Sequence, residues 1–386
     1  YYNTHTLQDD PEGWAGSFVK SLIAQEVYEA TGSPADFPLL SELPEQKYRP
    51  ATRKFLAHWQ RDRDYLDTYR RWALNVDAKI DLRAWAEDKP GYPHALRSLA
   101  MERWKKYLQG LKKVDQSENE LRSYLIEKKG IAEEEFKGFW ASGSGDLLGW
   151  GLAVELIHLV EQVDKVLQIL NPLLTASDLV KAYIEDWHQI DLAHWRLLAA
   201  ARRADEMEAL AAAADRFYTK YLDAVGQAFY TAFHDDAQWP PSGCQSVSQL
   251  ASELFSSSAA RKAILVVDAL RFDLAAALKA SMGEGELTGY VANVPSETWV
   301  GMTSLLPNPD SYLEIKGDKP VLVSPAAGGD LNYRSYRWKL LEAAGANPLG
   351  VDDKGNRKDE LHHLQELAEK PASLPQRLVL FDRGVD

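Results

Sequence analysis

A carboxylate stands directly after the most strand-like run of the sequence. Residues 263–267 are continuously apolar and rich in β-branched side chains, and Asp268 follows them at once. Such runs are typical of parallel strands buried on both faces, and ligands bind beyond the carboxyl ends of those strands. Asp268 could hold a divalent cation there, or could only cap the next helix. Arg271 could bind a substrate anion, or could pair with Asp273 or Asp268.

A hydroxyl occupies a similar position in the segment 294–302. Thr298 lies between a strand-like run over residues 289–294 and a helix predicted over residues 300–306. Near the same sheet edge, the N–H groups and dipole of a helix N-terminus would favour phosphate. A hydroxyl beside a metal ion could act there as a nucleophile. Thr is also a preferred N-cap, which is the simpler alternative.

The two segments together form a more specific pattern than either alone. Strand, Asp-x-x-Arg, helix, strand, Pro-x-x-Thr and helix follow in order, and Thr-x-Leu-Leu-Pro occupies residues 303–307. This order resembles the start of the alkaline-phosphatase-like superfamily. Within it, VDALRFDL at 267–274 and GMTSLLP at 301–307 resemble the PglZ family of the BREX bacteriophage-defence systems. The resemblance is strongest over residues 261–386.

The resemblance implies a metal-dependent phosphoesterase. Asp268 matches the first metal-ligand aspartate, and Thr298 matches the nucleophile that also contacts metal. Asp386, after the strand-like residues 377–381, matches a further metal-ligand aspartate, with Asp382 as the second choice. Two divalent ions, expected to be zinc, would lie about 4 Å apart. Thr298 would attack phosphorus in a phosphate monoester or diester, and water would then release the phospho-threonine.

Two features depart from the family pattern. Ser296 and Glu297 replace the more usual residues between the proline and the threonine, and an anion beside the nucleophile brings no evident advantage. Further Asp and His ligands would lie beyond Asp386. Because the chain starts at Tyr1 and stops just after an apolar run, we expect a fragment of a longer protein. Alone it would hold no metal at the site, show no activity, and leave the sheet edge after Phe381 bare.

The elements that must position these residues change in character near residue 240. Ten of the 12 Trp precede it, in sequence with helical periodicity, and Pro240, Pro241 and Gly243 stop any helix. We predict an α + α/β fold. A helical domain would cover 1–240, a linker and short helix 241–260, and 261–386 the first part of an alkaline-phosphatase-like α/β domain with a mostly parallel sheet, truncated at its C-terminal end.

The same periodicities predict individual elements. A helix should start at Asp10-Pro11-Glu12, since an acidic N-cap followed by proline is a helix-start signal. Further helical segments are predicted at 50–73, 93–112, 147–170, 176–202, 205–233, 246–258, 274–282, 300–306, 333–344 and 359–369. Strand-like segments are predicted at 263–267, 289–294, 320–324 and 377–381.

Composition restricts the cellular setting and the partners. The net charge of −13 disfavours nucleic-acid binding over the whole surface, although a local basic channel could exist. The single cysteine, Cys244, excludes a disulfide framework and a cysteine-rich zinc site, and indicates a reducing compartment. We expect a cytoplasmic protein with no membrane partner. The resemblance implies other BREX-type defence proteins as partners, and a phosphoester substrate or nucleic acid at the site.

Two other functions compete with hydrolysis. The first is a non-catalytic scaffold of a defence complex, in which the helical region docks partners and the phosphatase-like domain is degenerate. The Ser296-Glu297 departure permits this alternative. The second is a signalling receiver domain with Asp268 as phospho-acceptor. Receivers carry paired acids after the first strand, and Ala269 follows Asp268 here, which disfavours that interpretation.

Overall fold

The computed structural model describes most of the chain. The described residues are 10–62, 64–86, 96–141, 149–170, 174–236, 238–256, 261–267, 270–307, 312–316, 319–331, 333–348, 369 and 377–382. Asp268, Asp386 and most of the helix predicted at 359–369 therefore lie outside the described residues.

Helices dominate the described residues up to 256. They are α1 (Pro11–Ala30), α2 (Arg49–Trp59), α3 (Leu66–Asp77), α4 (Arg97–Val114), α5 (Glu118–Phe136), α6 (Trp150–Ile169), α7 (Ala176–Ala182), α8 (His188–Ala201), α9 (Glu208–Asp236) and α10 (Val247–Ser256). Short 3-10 turns occupy Leu40–Glu42, Gln46–Tyr48, Arg83–Trp85 and Asp205–Met207, and a π-helical turn, Tyr183–Trp187, separates α7 from α8. The helix start predicted at Asp10 is confirmed, because its carboxylate accepts a 2.9 Å hydrogen bond from the Gly13 amide.

The rest of the described chain mixes helices and strands. The helices are α11 (Phe272–Met282), α12 (Thr298–Ser304) and α13 (Arg334–Ala343). The strands are β1 (Lys262–Val267), β2 (Tyr312–Lys316), β3 (Lys319–Ser324), β4 (Gly329–Asp330), β5 (Asn347–Pro348) and β6 (Arg377–Asp382). None of the described helices combines the length and the apolar character that crossing a membrane requires.

The chain divides into two compact units. One consists of Tyr1–Ile169 and Ala193–Ala224, and the other of Leu170–Leu192 and Val225–Asp386. In the first unit, Trp104 packs against Tyr107 and Trp150, with ring centroids 5.6 and 4.9 Å away. Burying three large aromatic side chains together removes several hundred Å² from water, a major stabilising contribution. The domain limits near residue 240 remain predictions from the sequence.

The second unit holds the parallel sheet, in which β6 lies between β1 and β5. β1 and β6 pair in parallel over six residues, from Lys262↔Arg377 to Val267↔Asp382. The parallel strands predicted at 263–267 and 377–381 are thus confirmed. β6 is the middle strand of the described sheet, however, and it pairs with β5 at Leu378 and Val379. The expectation of a bare strand edge is therefore wrong for those two positions.

Two further strand predictions need correction. Residues 320–324 do form a strand, β3, but it pairs antiparallel with β2 and β4 in a separate sheet. Residues 289–294 contribute only one isolated bridge, Val291 to Ser246. The fold of the described residues is therefore α + β, mainly helical, with one small parallel and one small antiparallel sheet.

One face of the parallel sheet lies on an apolar core. Ile264 and Val266 of β1 pack against a buried cluster that includes Leu340, Leu341 and Val379. The opposite face of β1 is open, with the Leu265 side chain 59% exposed. The expectation that β1 is buried on both faces is therefore wrong for the described residues, in which alternate side chains of the strand meet different surroundings.

Candidate functional site

The carboxyl ends of β1 and β6 lie at the same edge of the parallel sheet. Their last residues, Val267 and Asp382, are partners in the parallel register. Asp268 comes next after β1, and Asp386 follows β6 by four residues, both outside the described residues. β1 and β6 therefore end together, on the side of the sheet at which open α/β sheets bind ligands.

Thr298 begins α12, so the helix start expected from the sequence is confirmed, whereas the strand expected ahead of it at 289–294 is only an isolated bridge. The helix runs over Thr298–Ser304, and Glu297 is its N-cap residue in extended conformation. The Thr298 side chain is exposed and has no hydrogen-bond partner among the described residues. Because Glu297 and not Thr298 is the N-cap residue, the alternative that Thr298 only caps the helix is wrong. The hydroxyl is accessible for chemistry.

The turn that carries Thr298 is fixed by the residues ahead of it. Val291 exchanges backbone hydrogen bonds with the start of α10: its carbonyl accepts from Val247 at 3.1 Å and its amide donates to Gln245 at 2.8 Å. Asn293 Nδ2 then donates to Ser304 Oγ at 2.6 Å and to Ser248 Oγ at 3.2 Å. The entry to α12 is thereby joined to the last residue of that helix and to α10.

Glu297 is held beside Thr298 by an aromatic neighbour. Its carboxylate Oε2 accepts a hydrogen bond from the Trp299 indole Nε1 at 2.5 Å. The Glu297 side chain is exposed, and no Lys or Arg of the described ranges forms an ion pair with it. Glu297, which departs from the family pattern, thus places a negative charge next to the predicted nucleophile, and a hydrogen bond holds that charge in position.

Arg271, three residues after Asp268 in the sequence, joins two buried carboxylates. Arg271 donates to both carboxylate oxygens of Asp273, at 3.0 and 2.9 Å, and its Nη2 lies 3.4 Å from Asp191 Oδ2. Asp273 is fully buried and Asp191 is 6% exposed. Of the roles considered for Arg271, the structure thus shows the ion pair with Asp273. This guanidinium anchors the start of α11.

Sequence reasoning did not identify two polar residues near Arg271, namely Tyr183 and Asp191. The Tyr183 hydroxyl donates to Asp191 Oδ2 at 2.6 Å, and burial, followed by the Asp191 carboxylate, raises the pKa of Tyr183 well above its usual range. Tyr183 belongs to the π-helical turn, an irregularity that often marks functional positions. The available signal was an acid, Asp191, within an apolar helical stretch about 80 residues ahead of Arg271.

The groups that could hold a metal are oxygen donors. No cluster of three or more His, Cys, Asp or Glu side chains forms a metal site within the part of the chain that the structure describes. The predicted ligands Asp268 and Asp386 are not in that part, and Thr298 is. Carboxylate and hydroxyl oxygens are suitable ligands for zinc, magnesium or manganese, so this donor set fits the divalent ions that the resemblance implies.

Comparison with known proteins adds no relative to this description. No protein-family model, no curated protein and no solved structure matches the chain. The functional interpretation therefore depends on the motif resemblance and on where the described residues lie.

Proposed function

We propose that the chain is part of a metal-dependent phosphoesterase of the alkaline-phosphatase-like superfamily, in the PglZ family of bacteriophage-defence proteins. The observation that carries the proposal is the in-register parallel pairing of Val267 with Asp382. It supports a common location for Asp268 and the segment ending at Asp386, as a shared metal site requires. The exposed hydroxyl of Thr298 at the start of α12 supports the choice of nucleophile.

In this proposal the chain itself supplies the nucleophile. The Thr298 oxygen attacks phosphorus from the side opposite the leaving oxygen and forms a bond to it. The bond between phosphorus and the leaving oxygen breaks, and the hydroxyl proton of Thr298 is lost to solvent. Water then attacks the phospho-threonine and releases phosphate or a phosphomonoester. Divalent ions held by Asp268, Thr298 and Asp386 would lower the pKa of the hydroxyl and stabilise the leaving oxygen.

Arg271 and Asn293 would serve the reaction by positioning other groups. Arg271 is held by the buried carboxylates of Asp273 and Asp191, so it fixes the start of α11. Asn293 fixes the turn that precedes Thr298. Catalytic groups must be held within about 0.5 Å of their productive positions, which such supporting hydrogen bonds achieve.

The second candidate function is a non-catalytic scaffold of the same kind of defence complex. The charge of Glu297 beside Thr298 favours it, because a carboxylate that has no ion-pair partner among the described residues repels phosphate. In that case the helical part would dock other defence proteins, and the phosphatase-like part would have lost its activity. The two candidates differ in whether Thr298 turns over a phosphoester.

The test compares Thr298→Ala, Thr298→Ser and Ser296→Ala in the full-length protein, with zinc, magnesium or manganese added. Hydrolysis of chromogenic phosphate diesters and monoesters should disappear in Thr298→Ala and persist in part in Thr298→Ser, which keeps a hydroxyl. Ser296 is a neighbouring exposed hydroxyl, and its alanine variant should retain activity.

Because Thr298 makes no cap hydrogen bond, its alanine variant should lose at most about 0.5 kcal/mol of stability. Full activity in Thr298→Ala excludes the nucleophile role, and a folded but wholly inactive protein favours the scaffold.

A further inference from the structure

Glu297 is the one charged side chain adjoining Thr298 in the sequence, with Ser296 and Trp299 on either side of the pair. Glu297 is the N-cap residue of α12, but its side chain makes no hydrogen bond to the amides at the start of the helix. Its carboxylate accepts from Trp299 Nε1 at 2.5 Å. A hydrogen bond to a charged group is shorter and stronger than one between neutral groups, so the indole restrains this carboxylate.

No cation in the described part of the chain neutralises the negative charge at this turn. Among the described residues, no Lys, Arg or His forms an ion pair with Glu297, whose side chain is exposed. Neighbouring Cα atoms in a chain are about 3.8 Å apart and each side chain reaches a few Å further, so a carboxylate on residue 297 lies within roughly 10 Å of a phosphate attacked by Thr298, and we take about 8 Å as the working distance. A charge at that distance acts on the substrate without having to contact it.

The size of the effect depends on the charge of the substrate. At neutral pH a phosphate monoester carries nearly two negative charges and a diester carries one. For one extra unit charge at roughly 8 Å, an effective dielectric constant between 80 and 20 corresponds to about 2-fold to about 30-fold weaker binding. Repulsion by Glu297 therefore falls more heavily on monoesters than on diesters.

We infer that Glu297, held by Trp299, is a specificity-determining residue that selects monoanionic phosphodiesters against dianionic phosphate monoesters. The inference rests on the proposed function, since it assigns a substrate class to the same Thr298 site. It also gives a role to the Ser296-Glu297 departure, which costs activity towards monoesters while leaving diester hydrolysis possible.

The experiment measures kcat/KM for an aryl phosphodiester and the corresponding aryl phosphate monoester in the full-length, metal-supplemented protein. Glu297→Gln removes the charge and keeps an oxygen that can accept from Trp299 Nε1. The ratio of diester to monoester kcat/KM should fall by about 2-fold to about 30-fold in this variant. Trp299→Phe keeps the charge and releases the carboxylate, so its ratio should lie between those of the wild type and Glu297→Gln.

Ionic strength supplies a second measurement. Because salt screens exposed charges over about 8 Å at 0.15 M, the wild-type ratio should fall as salt is added, and the Glu297→Gln ratio should change little. An unchanged ratio in Glu297→Gln, with both substrates turned over, overturns this inference and leaves the proposed function standing. A folded protein that hydrolyses neither substrate in any variant overturns both.

Discussion

Arg271 and Asp273 form a two-point ion pair, with Nε and Nη2 of the arginine 3.0 and 2.9 Å from the two carboxylate oxygens. Asp273 is fully buried, so this guanidinium compensates a charge that has no access to water. The Arg271 side chain is 41% exposed, so water can reach the place it leaves, and Arg271→Ala should lower the free energy of unfolding by about 1–3 kcal/mol, the cost of leaving a buried acceptor without its partner. Urea denaturation of the purified variant measures it.

Arg83 offers a matched control for that prediction. Arg83 donates to both oxygens of Asp81 at 2.9 and 2.7 Å, the same two-residue spacing, but both side chains are largely exposed. Arg83→Ala should cost at most about 1 kcal/mol, since exposed ion pairs contribute little. If both variants lose the same free energy of unfolding, burial of Asp273 does not strengthen the Arg271–Asp273 ion pair.

Tyr183→Phe should cost about 1.5–3 kcal/mol, the range for a hydrogen bond to a charged group. The variant removes the hydroxyl that donates to Asp191 at 2.6 Å. Because burial and Asp191 raise the pKa of Tyr183 in the folded state, this contribution is fully present below the ordinary tyrosine value of 10.0 and is lost as the pH rises above it. Urea unfolding at pH 7, 9 and 10.5 measures it.

Tyr124→Phe is the corresponding control. Its hydroxyl donates to a neutral acceptor, the Tyr107 carbonyl, at 2.7 Å. The loss there should be about 0.5–1.5 kcal/mol. A Tyr183→Phe loss no larger than this would show that the Asp191 carboxylate gives the hydrogen bond no extra strength.

Local sequence signals predict those helices and strands whose signal lies in consecutive residues. The apolar run of β1 and the Asp10-Pro11 helix start are written in adjacent residues, and both were predictable. The order of the sheet was not, because β1 and β6 are separated by more than 100 residues and β5 pairs with β6 across about 30 residues. The alternation of β2, with Leu313 and Ile315 exposed, is a period-2 signal that could have predicted the hairpin.

The candidate site shows the same division. Thr298 at a helix start follows from local sequence, and so does an Arg271–Asp273 pair two residues apart. Asp191 contacts Arg271, and Tyr183 contacts Asp191; these contacts join segments about 80 residues apart, for which a single sequence carries no pairing rule. The Glu297–Trp299 hydrogen bond is local, but side-chain rotamers decide it, and composition does not specify them.

The ion pairs of Glu118 should make the stability of the first unit depend on pH. Hydrogen bonds from Lys220 at 2.8 Å and Arg122 at 3.0 Å lower the pKa of its carboxyl. A lowered folded-state pKa means that the contribution is present above the ordinary value of 4.5 and is lost as the pH falls through the folded-state value. Glu118→Gln should therefore cost up to about 1 kcal/mol at pH 7.

The difference between Glu118→Gln and wild type should shrink in acid. Thermal unfolding from pH 7 to pH 2.5 measures it, and Lys220→Gln should show a similar but smaller trend. Glu127, an exposed acid on the same helix, is the control, and Glu127→Gln should change stability by less than about 0.5 kcal/mol. A Glu118→Gln deficit that is constant over this range would contradict the charge-based explanation.

Asn293→Ala should loosen the turn that carries Thr298. The amide donates to Ser304 at 2.6 Å and Ser248 at 3.2 Å, so its loss should cost about 1–2 kcal/mol. Hydrogen exchange of the amides over residues 297–301 should become faster, whereas exchange in α5, in the other unit, should not change. If Thr298 is the nucleophile, kcat should fall more than KM rises, because the variant misplaces the attacking oxygen without touching the substrate. Ser248→Ala removes only the longer of the two hydrogen bonds and should produce a smaller effect in both measurements. Unchanged exchange over residues 297–301 in Asn293→Ala would show that the backbone contacts of Val291 hold the turn by themselves.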